Sequence, residues 1–356
     1  MSRRLSEAHA AVGRLGTSDA VGACARIAFL PGWVVVAAAT AVFLFDVSVP
    51  LSYQLVPLAI SVVLFGLPHG AVDHLAIPRS RAEPVTTRWL AIVGVLYLVV
   101  GGAYAVVWFL APVAAVAFFI LMTWAHWGQG DVYPFVAFGD AHPAGGATRV
   151  LMAVTRGALP MVVPFVAFPD QYELVVSTLV GLFDATAAGT VSAAFTPTTR
   201  LVVAAGLAGL IGATLAVGVR SAGRSGRRSW LVDAAETALL VAFFSTVPPV
   251  LAIGLYFCVW HSLRHIVRLL AVDPGAEAAL DARRYGAALA SFGRDAAPLT
   301  AASVLILVVW YVVVPGTAAD PLSLVGAYLA LIAVLTLPHV VVVGWMDREQ
   351  GIWRSG

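Results

Sequence analysis

Six of the eight histidines, His69, His74, His126, His261, His265 and His339, sit in strongly apolar stretches, where an imidazole is costly and rare. His261 and His265 are four residues apart, a spacing that puts both rings on one helix face within reach of one ion. Neutral imidazole ligates Fe, Zn, Cu and Ni. The chemistry open to this set is that of a transition metal held inside an apolar protein. The other two histidines are read as solvated: His9 lies in a polar N-terminal segment and His142 beside Pro143 and Gly145.

The elements that carry these rings are membrane-spanning helices. Of the 356 residues, 60% are hydrophobic and 11% charged, where a soluble domain carries about 25% charged residues. Apolar runs of roughly 18 residues or more recur along the chain, the length a helix needs to cross a bilayer. The alternation expected of a closed barrel is absent. The fold class is all-α, a polytopic transmembrane helical bundle of about ten spans. These lie near 28–45, 52–72, 89–109, 111–128, 149–168, 200–219, 230–247, 249–270, 297–315 and 321–345. Tyr172 to Phe183 is apolar but short, and reads as an interfacial or re-entrant segment. Residues 1–27 form an N-terminal tail, 28–345 the transmembrane domain and 346–356 a C-terminal tail. Cys258, in an apolar run, reads as a small core residue.

All 21 basic residues are arginine. Arginines cluster in the N-terminal tail, between spans two and three (Arg79, Arg81, Arg88), six and seven (Arg220, Arg224, Arg227, Arg228), eight and nine (Arg283, Arg284, Arg294), and after span ten (Arg348, Arg354). With ten spans these segments share one side, so the positive-inside rule makes both termini cytoplasmic. The same topology brings His69, His74, His126, His261, His265 and His339 to the inner ends or halves of spans two, four, eight and ten. Four helices deliver imidazoles to one leaflet at similar depth, which composition alone does not require.

The surroundings of these rings are distinctive. They comprise Gly66-Leu67-Pro68-His69-Gly70-Ala71 with Asp73, then Trp124-Ala125-His126, then His261-Ser262 with Arg264-His265, and Leu337-Pro338-His339. In these segments, and in their order along most of the chain, the sequence resembles the Brp/Blh family of bacterial and archaeal β-carotene 15,15′-dioxygenases. The resemblance implies a membrane-embedded, iron-dependent enzyme. Such an enzyme uses O2 to split the central double bond of β-carotene into two molecules of retinal, linking it to a retinal-binding rhodopsin. Carried over residue by residue, the Fe(2+) ligands are His69, His126, His261 and His265. The sequence leaves open whether His74 and His339 touch the ion or support it.

Asp73, Asp131 and Glu236 are candidates to hydrogen-bond the ligands' second ring nitrogens and to offset the ion's charge. Glu236 and Asp233 both lie in span seven, where an acid needs a partner. Trp124, Trp127, Tyr256, Phe257 and Trp260 are candidates to line a polyene tunnel, with Phe118 and Phe119 as weaker ones.

Other functions are constrained by the same residues. The net charge of +2 points to no nucleic-acid partner. A retinal-binding rhodopsin is excluded, because its Schiff base needs a lysine and the chain has none. The alternatives are a membrane transition-metal transporter, a histidine-box di-iron desaturase or hydroxylase, and a bis-histidine haem protein. A transporter should offer ligands in both halves of the membrane, and a di-iron enzyme about eight histidines with adjacent pairs.

Overall fold

Proline and short polar caps set where the helices begin. Pro112, Pro169, Pro197, Pro249, Pro274 and Pro321 each occupy a first turn, where a missing N–H costs nothing. Asp184, Asp273 and Asp320 accept from the free backbone N–H groups of the turns they cap. The computed structural model describes residues 19–139, 142–316 and 320–353, and within these it is all helix and turn.

The helices in chain order are α1 Asp19–Phe43, α2 Leu51–Ala71, α3 Asp73–Ser80, α4 Thr87–Leu110, α5 Pro112–Phe138, α6 Gly146–Ala167, α7 Pro169–Gly181 and α8 Ala185–Phe195. They continue with α9 Pro197–Ala222, α10 Arg227–Thr246, α11 Pro249–Leu270, α12 Pro274–Asp281, α13 Tyr285–Val313 and α14 Pro321–Gln350. Among the described residues nine helices are long and apolar enough to cross a membrane: α1, α2, α4, α6, α9, α10, α11, α13 and α14. The 27-residue α5 is a tenth of comparable length, and its second half carries His126, Gln129 and Asp131. The result is the roughly ten-span helical bundle expected.

Some boundaries differ from the apolar runs. Helix α1 is already formed at Asp19, the first described residue, ahead of the apolar run that begins near residue 28. Its first turns bury Ala20, Ala23, Cys24 and Ala28 against Ala276, Ala279 and Leu280 of α12, and Asp281 accepts from the Ala20 N–H. Helix α13 starts at Tyr285 rather than near 297, and its early residue Asp295 pairs with Arg79 at 2.6 Å. In both cases tertiary contacts extend a helix into sequence too polar for lipid. The Tyr172–Phe183 stretch falls largely on α7, whose 13 residues are too few to span.

Burial separates centre from periphery. The most apolar windows of α9 and α13 are each only 11% buried, whereas that of α11 is 78% buried. Leu98, Leu305 and Val312 stay exposed, as lipid-facing side chains do. Helix α11 is therefore the axis of the bundle, and it carries His261 and His265. Cys258 is buried there, as expected, with its thiol 3.3 Å from the Pro57 carbonyl.

Two glycines fix α5 against α6. A Cβ on Gly128 would lie 1.9 Å from the Ala153 carbonyl oxygen, and one on Gly157 would lie 1.9 Å from that of Trp124. The two antiparallel backbones thus touch twice, one helical turn apart, in the small-residue packing common between membrane helices.

Candidate metal centre

Three helical segments widen into π turns among the described residues, and all three adjoin the histidines. They are Ser61–Phe65 in α2, Tyr97–Gly101 in α4 and Phe257–Ser262 in α11. Such turns are frequent at functional sites because they re-aim the side chains beyond them. The first precedes His69, the second begins with Tyr97 and the third contains His261. Glycines clear the remaining space. A Cβ on Gly130 would stand 3.3 Å from the His261 ring, and one on Gly66 would stand 2.7 Å from the Phe257 ring.

Five imidazoles from four helices converge. The ring centroid of His69 lies 5.6 Å from that of His261, 5.5 Å from His265 and 5.0 Å from His339. That of His126 lies 4.8 Å from His261 and 5.0 Å from His339, and His265 and His339 are also 5.0 Å apart. Ligand atoms of His69, His126 and His339 all lie within 4.8 Å of one another, and so do those of Asp73, His265 and His339. All five rings are buried. His74 is half-buried and lines the adjoining cavity instead.

The donor set fits a metal ion. Both nitrogens of His126, both of His261, and the Nε2 atoms of His265 and His339 are buried with no hydrogen-bond partner. Each such group ordinarily costs about 1–3 kcal/mol, and one cation taking a single lone pair from each ring would remove that cost at one nitrogen per ring. His69 Nδ1 lies 3.2 Å from the Phe65 carbonyl oxygen, so its proton belongs there and Nε2 carries the free lone pair.

Of the three carboxylates expected beside the rings, only Asp73 meets one: His339 Nδ1 lies 2.9 Å from its Oδ2. Asp131 and Glu236 turn to arginines. Asp131 binds Arg264 at 3.1 Å, Arg156 at 3.1 Å and the Trp260 indole at 3.0 Å. Glu236 binds Arg264 at 2.6 Å, Arg156, and the Trp33 indole. Asp233 stands 4.0 Å from Arg156 and pairs with His142 at 3.0 Å. His142 is therefore buried against an acid of α10, not solvated as its loop suggests; the acid's need for a partner is the available signal. His9 lies outside the described residues.

The aromatic expectations divide by helix face. Tyr256, Trp260 and Arg264 form one stripe of α11, four residues apart, with Tyr256 and Trp260 stacked. Phe257, His261 and His265 form the neighbouring stripe, with Phe257 stacked on His261. Only the second stripe reaches the cavity, through Phe257 and His261, while Trp260 packs against Arg264 and Arg156 and Tyr256 stacks on Trp260. On α5, Phe119 and Trp127 line the cavity with His126. Trp124 instead donates to the Val154 carbonyl across the α5–α6 seam, and Phe118 is exposed.

The cavity itself holds about 350 Å³. Apart from the imidazoles its wall is mostly apolar, including Val116 and Ile120 of α5, Val250 and Ile253 of α11, and Ala302 and Ile306 of α13. It runs along α11 from His261 to Pro249, about 18 Å at 1.5 Å per residue. Past the imidazoles it continues to Leu90 and Gly94 of α4. The space is an elongated apolar slot with the histidines between its ends. Tyr97, Arg156 and Tyr328 border this region or brace it, and no sequence pattern marks them.

Fold and site together define a membrane-embedded helical protein with a polyhistidine centre of metal-binding type on an apolar cavity. Among known families, residues 60–347 match the model of β-carotene 15,15′-dioxygenase. Over 341 residues the chain is 46% identical to the probable β-carotene 15,15′-dioxygenase Blh of Halobacterium salinarum strain NRC-1, covering 94% of this chain and 96% of that one. It is 36% identical over 321 residues to the probable β-carotene 15,15′-dioxygenase Brp of H. salinarum strain R1, covering 86% and 87%. No solved structure matches the chain. The chain belongs to the β-carotene 15,15′-dioxygenase family.

Proposed function

We propose that this protein cleaves the central 15,15′ double bond of β-carotene with O2, giving two molecules of retinal. In this reading one Fe(2+) is held by His69, His126, His261 and His265. The observation that carries it is the convergence of five buried imidazoles, with His69, His126, His261 and His339 on the wall of a long apolar cavity, in a chain of this family.

β-Carotene is a stiff, wholly apolar rod, comparable in length to the ~30 Å hydrocarbon core of a bilayer. It dissolves in lipid and needs no charged group for recognition. A slot that continues on both sides of the imidazoles supports presentation of the middle of the rod rather than an end. Trp127 and Phe257, whose rings stack 6.0 Å apart, offer flat surfaces beside His261 for a conjugated chain. The apolar wall admits O2 and polyene and keeps bulk water from the reacting carbons. The Phe65 carbonyl holds the tautomer of His69. When bound, iron supplies open coordination positions at which O2 is activated. The protein sits in the cell membrane with both termini in the cytoplasm, and its product serves a retinal-binding rhodopsin.

The test is expression in β-carotene-producing bacteria, then chromatography of the extracted pigments. Wild type is expected to convert β-carotene to retinal, and His126→Ala and His261→Ala at matched protein levels to leave it intact. Intact β-carotene beside a folded, iron-loaded wild type would overturn the dioxygenase reading in favour of metal transport.

A further inference from the structure

We infer that His339 is a fifth metal ligand, and that Asp73 and Tyr97 form a relay that positions it. This rests on the iron-centre reading above and extends it to three residues outside the proposed four-histidine set.

Position is the first argument. The His339 ring stands 5.0 Å from each of His69, His126 and His265. It belongs to both of the residue groups whose ligand atoms could meet on one ion.

The state of its two nitrogens is the second. Nδ1 is committed to Asp73, at 2.9 Å and 3.0 Å from the two carboxylate oxygens. A carboxylate can only accept, so Nδ1 carries the proton and Nε2 carries the lone pair. That Nε2 is buried and has no partner. Carboxylate, imidazole and metal in a row is the usual way a protein orients a ligating histidine and raises its basicity.

The carboxylate is itself held. Tyr97 donates its hydroxyl to Asp73 Oδ2 at 2.6 Å. Tyr97 opens the π turn of α4, and that turn is seated against α14. Pro338, the residue before His339, has no N–H for the Val334 carbonyl one turn earlier. Gly101 approaches there, so closely that a Cβ would lie 3.3 Å from the Val334 oxygen and 3.8 Å from the Pro338 ring. Gly70 passes on the other side, with a Cβ position 3.6 Å from His339 Nδ1 and 3.8 Å from the Tyr97 hydroxyl. Helices α2, α4 and α14 thus meet around a single imidazole. The buried Asp73 charge also lies where it offsets a dication more closely than Asp131 or Glu236, which are neutralised by arginines.

The experiment uses full-length protein in detergent, reconstituted with Fe(II) alone. X-ray absorption at the iron edge counts imidazoles, and chelator competition measures affinity. Wild type is expected to show five imidazoles and His339→Ala four, with added free imidazole restoring the lost one. Asp73→Asn keeps the shape of the side chain and should retain all five rings while weakening iron binding by about 10–100-fold. Tyr97→Phe should weaken it less. A His339→Ala spectrum identical to that of wild type would overturn the inference, as would unchanged affinity in Asp73→Asn. Those results leave the four-histidine reading intact. Failure of wild type itself to bind iron would remove the iron centre, and the inference with it.

Discussion

Alanine at Gly128 or Gly157 is expected to leave little folded protein. Neither glycine lies in the cavity wall, and neither carries any chemistry. Each removes a Cβ that would otherwise sit 1.9 Å from a carbonyl oxygen of the facing helix. Overpacked sites usually cost about 1–3 kcal/mol, relieved by shifting side chains. Here the obstacle is backbone, so relief requires moving α5 away from α6 along its length. That would also displace His126, two residues from Gly128. Size-exclusion chromatography of detergent-solubilised protein measures the outcome, with loss of most of the monodisperse peak expected. Gly206→Ala and Gly209→Ala in α9 are the controls, because a Cβ at either meets nothing within 4 Å. An undiminished peak for Gly157→Ala would show that the two backbones stand farther apart.

The buried charges predict a second large effect. Glu236→Met is expected to lower stability by roughly 3–5 kcal/mol, the usual cost of leaving one partner of a buried pair uncompensated. Arg156 and Arg264 are both buried and would then share Asp131, with Asp233 4.0 Å from Arg156. Adding Arg264→Met to Glu236→Met removes one charge of each sign and should recover much of the loss, since apolar replacements of whole pairs are often tolerated. Thermal unfolding in detergent of the two single variants and the double variant gives the coupling. A double variant no more stable than Glu236→Met would mean that the arginine does not depend on this acid. Retinal yield should track stability in this series, because Arg264 braces α11 between His261 and His265.

Much of this architecture is legible in one dimension, and the limit has a physical form. Run length is local, so the long apolar helices and the short α7 are evident from the residues alone. Histidines in apolar runs stand out singly, and counting spans brings them to one end of the bundle. Rotation about the helix axes is not legible in the same way. Asp131 is five residues from His126, yet faces Trp260 and Arg264; Glu236 likewise faces two arginines. A π turn adds a residue to a helical turn and shifts the phase of every later side chain, and nothing in Phe257–Ser262 or Tyr97–Gly101 announces one. Tyr97 is hidden because its partner Asp73 lies on another helix. The division of Tyr256 and Trp260 from Phe257 is more accessible, because a stride of four separates the two stripes without a structure. His142 shows the reverse limit: its neighbours mark a loop, and only the distant Asp233 reveals why it is buried.

The bond between Glu236 and Arg264 bears on how the chain enters lipid in the first place. Among the nine helices, the most apolar stretch of α10 is the least hydrophobic, and that of α11 comes next. Taken singly, each would be a poor substrate for the insertion machinery, since an acid or an arginine at mid-helix opposes partitioning by about 2.5–3.5 kcal/mol. The two are consecutive, separated only by Val247 and Pro248. A hairpin of that kind can leave the translocon as one unit, with its opposite charges already joined. The residues that brace the finished centre would then also allow its central helix to be delivered to the membrane.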